Sequence, residues 1–199
     1  MEKKFLTSKN IATLAVLSAL IVIIQLISGF IKIGAVNLSF VLIPIVMGAI
    51  IIGPLGGIVL GIVFGLVCFI MGLLGMDSLT YLLISQHPVL TFLTCVVKGA
   101  MAGLVSALIY KLLNKKNEYL SVILVALAAP VVNTGLFIIG ALIMSDTITV
   151  FMAANRISVD IIYFLVIMCA GINFLVEFVL NGILAPSLYR VVKYVKTRR

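Results

Sequence analysis

Apolar runs long enough to cross a bilayer recur along the chain and constrain its fold more than any other feature. A membrane helix needs about 20 predominantly apolar residues. The chain has 199 residues, 64% of them hydrophobic and 10% charged, so it is filled by about six such spans. A soluble domain carries about 25% charged residues, and an ordinary soluble domain is excluded. The expected architecture is a single all-α membrane domain over residues 1–199. Its helices are placed near 10–29, 38–52, 55–74, 89–113, 119–144 and 159–189. The Gly53–Pro54 pair separates the second and third, because a proline cannot donate within a helix and glycine permits a tight reversal. The second span is short for a straight crossing. The amino-terminal "MEKKFLTSKN" with the apolar run behind it superficially resembles a signal peptide. That run continues from Ile11 to about Ile31, longer than a typical signal core, and is read as a retained first helix.

Basic residues fall unequally on the two sides of this arrangement. Lys3, Lys4, Lys9, Lys111, Lys115, Lys116, Arg190, Lys193, Lys196, Arg198 and Arg199 gather on one side, and Lys32 and Arg156 lie on the other. The positive-inside bias therefore places both termini and the loop after the fourth span in the cytoplasm. The net charge of +8 is explained by this topology signal better than by nucleic acid. The connections near 30–37, 75–88 and 145–157 then face outward as loops suited to a lid. They carry Asp77, Asp146, Asn155 and Arg156, along with four candidate ligand contacts, Asn37, Tyr81, Gln86 and His87. His87, the single histidine, also reads as a helix-start residue beside Pro88. Without clustered carboxylates it does not indicate a metal.

Small residues mark where helices approach one another. Gly57, Gly61 and Gly65 form a ridge on the third span, and Gly99 and Gly103 form a second on the fourth. Ala15 and Ala19, with Ala12 one turn earlier, give the first span a smooth face. It is suited to internal packing or to a partner subunit.

Lys98 stands in the middle of the apolar fourth span, where an ammonium costs roughly 2.5–3.5 kcal/mol to insert. Thr91, Thr94 and Lys98 are spaced three and four apart and share one face. On the sixth span Asn173, Glu177 and Asn181 repeat every four residues. Asn133 and Thr134 follow Pro130 on the fifth, where the proline leaves the Ala126 carbonyl without its helical donor. Polar groups facing lipid are disfavoured, so these three helices should turn them toward one another or a shared cavity. Two roles for Lys98 stay open: an ion pair with Glu177, or a cation offered to an anionic ligand, with Asn133, Asn173, Glu177 and Thr94 around it.

Enzyme readings find little support. The chain has no Gly-Lys dipeptide and therefore no Walker A loop, and it contains neither HExxH nor GxSxG. Cys68, Cys95 and Cys169 fall in apolar stretches without a CxxC pair, so neither a metal nor a disulfide is expected. An ion-coupled carrier would use Lys98 and Glu177 as a relay. The inverted repeats common in such carriers are not visible.

Together these residues resemble a known family. The six spans, the basic cytoplasmic ends and "AVLSA" (Ala15 to Ala19) look like an S component of an energy-coupling factor (ECF) transporter. The block "FVLIPIVMGAIIIGPLGGIVLGIVFGLVCF" (Phe40 to Phe69) is similar to the helix 2–3 region of that family. The resemblance implies a non-catalytic, vitamin-binding subunit of the bacterial cell membrane, with no cofactor of its own. It also implies docking on a membrane coupling subunit bound to two ATPase subunits, where ATP is used, through Ala12, Ala15 and Ala19. The piece "APVVNTGLF" (Ala129 to Phe137) resembles pantothenate-type S components. Pantothenate is an anion with amide and hydroxyl groups, so Lys98 would meet its carboxylate and Asn133 its polar backbone. Folate is also anionic. Riboflavin and thiamin precursors would want more aromatic stacking than a chain without Trp supplies.

Overall fold

The computed structural model describes residues 7–29, 32–33, 36–37 and 40–197 and is nearly all helical. Helix α1 (Ser8–Ser28) starts where the Thr7 hydroxyl accepts the Asn10 N–H at 3.2 Å, satisfying a donor that the first turn leaves over. A short antiparallel ladder follows, β1 (Lys32–Ile33) with β2 (Val36–Asn37). Helix α2 (Leu42–Ile51) has 10 residues, about 15 Å of rise, or half the hydrocarbon thickness. It packs against α1, α5 (Pro88–Leu113), α3 (Pro54–Leu73) and α9 (Gly171–Thr197). Its Ile45 and Val46 are fully buried. Where the second of six spans was expected near 38–52, the described residues form a short, largely buried helix. It stops because Gly53 takes φ 101°, a conformation that a side chain would strain, and Pro54 opens α3.

Five helices among the described residues are long and apolar enough to cross a membrane. They are α1, α3, α5, α6 (Glu118–Ile143) and the continuous run Ile161–Thr197. That run opens as α8 (Ile161–Tyr163), widens into a π turn at Phe164–Cys169 and continues as α9. It passes the expected end at residue 189. The extra turns are held at the end that carries the basic residues. There Lys196 donates to Glu118 Oε1 at 2.9 Å, Tyr110 donates to the same oxygen at 2.6 Å, and Lys196 also meets the Tyr110 hydroxyl. Glu118 thereby ties together the ends of α5, α6 and α9.

The closest helix pair is α3 with α5, and glycine is the reason. A Cβ on Gly57 would overlap the Gly103 backbone, one on Gly61 the Gly99 carbonyl, and one on Gly65 the Cys95 carbonyl. These partners run in opposite senses, so the two glycine ridges interlock antiparallel. Their opponents are backbone atoms, which cannot swing aside. Gly61→Val is therefore expected to destabilise the protein by about 3 kcal/mol or more, at the upper end for overpacking. A drop in the thermal unfolding midpoint in detergent would register it, whereas an unchanged midpoint would show that the helices separate freely.

Two segments expected as loops are helical. Asp77 caps α4 (Ser78–Gln86) by accepting the Thr80 N–H at 2.7 Å, and α7 (Ser145–Ala154) occupies most of 145–157. Leu79 and Leu83 of α4 join Ile148, Phe151 and Met152 of α7 and Phe164 of the π turn in a second apolar cluster. The segments expected as lid loops are therefore packed helices.

Candidate ligand-binding site

Between α1, α3, α4, α5, α6 and the π turn lies a cavity with about 760 Å³ of space between its atoms, open mouth included. Lys98 reaches it from α5. Its ammonium sits 5.6 Å from the Phe64 ring centroid on α3 and 5.3 Å from that of Phe137 on α6. Ring faces attract a cation without neutralising it. The ion pairs among the described residues are His87–Asp146 and Lys196–Glu118, and no Lys98–Glu177 bridge is made. Lys98 thus lies against two aromatic faces in a wall of mixed polar and apolar residues.

Polar groups enter this cavity from other helices. Asn133 and Thr134 come from α6, just past Pro130, and Asn173 from the first turn of α9. Gln25 comes from the last turns of α1, and Asp77 and Thr80 from the start of α4. Cys68, Cys95 and Cys169 are free thiols, and all of them line the wall. Among the described residues no group of His, Cys, Asp and Glu is placed to hold a metal ion. The wall offers groups for recognition: one cation, one carboxylate, several amides and hydroxyls, and apolar surface.

The family model for the substrate-specific component of ECF transporters matches residues 9–189. The chain belongs to this family. No curated protein matches it. An S component is the non-catalytic substrate-binding subunit of its transporter and a multi-pass membrane protein. Membership also implies association with a coupling and ATPase module.

The cavity of this S component collects some of the expected site residues and leaves others outside. Lys98, Asn133 and Asn173 share it. Thr94 lies beside Lys98 in a smaller adjoining recess, with its hydroxyl donated to the Leu90 carbonyl at 2.8 Å. Glu177 and Asn181, both buried, face a different, apolar cavity between α2 and α9, lined by Phe40, Leu42 and Ile43. Tyr81 and Gln86 are exposed and do not line the Lys98 cavity. His87 is outside it too, pairing with Asp146 at 3.1 Å and joining the start of α5 to α7. The Asp146 carboxyl is held below its ordinary range by the Thr147 backbone N–H and then by His87. Asn37 is seen only as a strand backbone position, and its side chain lies outside the described residues. Gln25, Thr80, Phe64, Phe137 and Asp77 line the cavity as well, without being among the ligand contacts expected from the sequence. Gln25 had a signal, as a lone amide in the apolar run of α1.

Proposed function

We propose that this S component captures a small carboxylate vitamin, with pantothenate the favoured one, and hands it to an ATP-driven import module. The observation that carries the reading is Lys98. Its ammonium lines a cavity at membrane depth against two aromatic faces, with no carboxylate of the described residues within ion-pair distance. A cation kept charged in such a place favours an anion of matching size. A charge-assisted hydrogen bond is about twice as strong as a neutral one, and low dielectric strengthens it further. Asn133 and Asn173 would then orient the amide and hydroxyl groups of the vitamin.

The excess of Lys and Arg at one end of the bundle supports cytoplasmic termini, so α4, whose Asp77 cap and Thr80 line the cavity, would lie on the outward side. Ala12, Ala15 and Ala19 are exposed on α1, as expected of a face that meets a coupling subunit carrying two ATPase subunits. ATP hydrolysis would belong to those partners.

Isothermal titration of the purified chain against B-group vitamins tests the reading. Pantothenate is expected to bind tightly, and riboflavin and thiamin not to bind. Tight binding of an uncharged or cationic vitamin alone would overturn it.

A further inference from the structure

Two amide oxygens point to more than a carboxylate. Gln25 is 7% exposed and Asn133 5%, and both line the Lys98 cavity. Gln25 is oriented by its own Nε2, which donates to the Cys68 thiol sulfur at 3.6 Å. Its Oε1 and the Oδ1 of Asn133 are buried and meet no donor among the described residues. Buried acceptors are nearly always satisfied, so two unsatisfied ones on residues that line a single cavity call for a donor from the ligand. Asp77 adds a carboxylate to the same wall. One of its oxygens is engaged by the Thr80 N–H, and its negative charge disfavours a second anionic group in the ligand.

We infer that Gln25, Asn133 and Asp77 restrict this cavity to a monocarboxylate that also carries N–H or O–H donors. The inference rests on Lys98 holding the carboxylate. Gln25 and Asn133 accept the donors of the ligand, and Asp77 rejects dicarboxylates. Cys68 acts as a positioning residue by fixing the Gln25 amide. Helix α1, whose outer face carries Ala12, Ala15 and Ala19, thereby belongs to the ligand cage as well.

The test titrates the full chain with pantothenate and biotin, which are monocarboxylates with donors, nicotinate, which lacks them, and folate, a dicarboxylate. Wild type is expected to prefer pantothenate or biotin to nicotinate and folate. Gln25→Leu and Asn133→Leu should each weaken that binding about tenfold, the equivalent of one lost hydrogen bond of roughly 1.4 kcal/mol. Gln25→Met, a near-isostere that keeps α1 packed, should do the same at an unchanged unfolding midpoint. Asp77→Asn retains the helix cap and should raise folate affinity about tenfold. Binding that is lost in Lys98→Ala but survives Gln25→Leu, Gln25→Met and Asn133→Leu overturns the inference and leaves the carboxylate reading standing. Wild-type preference for nicotinate or folate does likewise. Indifference to Lys98→Ala, or no binding by any of the four compounds, overturns both.

Discussion

Lys98→Ala is expected to weaken binding of a carboxylate vitamin by about a hundredfold while leaving the unfolding midpoint unchanged or slightly raised. The affinity term comes from losing a charge-assisted hydrogen bond inside a protein wall. That loss is about 1.5–3 kcal/mol, and a hundredfold corresponds to about 2.7 kcal/mol. The stability term is small because two effects oppose. Removing the ammonium gives up two cation–π contacts, each worth about 0.5–2 kcal/mol. It also removes the roughly 2.5–3.5 kcal/mol penalty of placing an ammonium at membrane depth. No ion pair breaks, because none joins Lys98 to Glu177 among the described residues. A structural lysine would show the opposite pattern, a large fall in midpoint with affinity intact. Calorimetry of the two purified proteins, with thermal unfolding alongside, separates these cases.

Ala15→Leu combined with Ala19→Leu is expected to leave vitamin binding intact and to cut uptake at least tenfold. Both alanines are exposed on α1, beside Val16 at 61% and Ile23 at 54% exposure. A leucine there points into lipid, which accepts it, so folding and the cavity are undisturbed. A partner helix seated on the smooth face would be held off by the new side chains, because close approach depends on small residues. A tenfold loss requires only about 1.4 kcal/mol of docking energy. Uptake in cells expressing the coupling and ATPase subunits, set against binding by the purified variant, checks it. Undiminished uptake would remove this face of α1 from the docking surface.

What was legible in the sequence follows the length of each signal. Apolar runs of 20 residues or more declared α1, α3, α5 and α6, and the glycine ridges marked surfaces of close approach on α3 and α5, which the structure pairs with each other. Helices α4 and α7, with 9 and 10 residues, were hidden. A window sized for a membrane span cannot see a helix half that long with polar residues in it. The Asn173/Glu177/Asn181 stripe misled for a geometric reason. Each step of four residues advances a side chain by about 40° around an α-helix, so the stripe drifts. Asn173 lines the Lys98 cavity, and Glu177 and Asn181 turn to another. Gln25 and Asp77 come from segments far apart in the chain. Their meeting with Lys98 depends on tertiary packing, which spacing along one helix does not encode.

Whether Lys98 grips a carboxylate is decided by comparing two ligands. Pantothenate and its corresponding alcohol share amide and hydroxyl groups and differ in the carboxylate. Their affinities are measured for wild type and for Lys98→Ala. Wild type is predicted to prefer the acid by about a hundredfold, and Lys98→Ala to bind the two alike. A preference for the acid that persists undiminished in Lys98→Ala would show that another group holds the carboxylate.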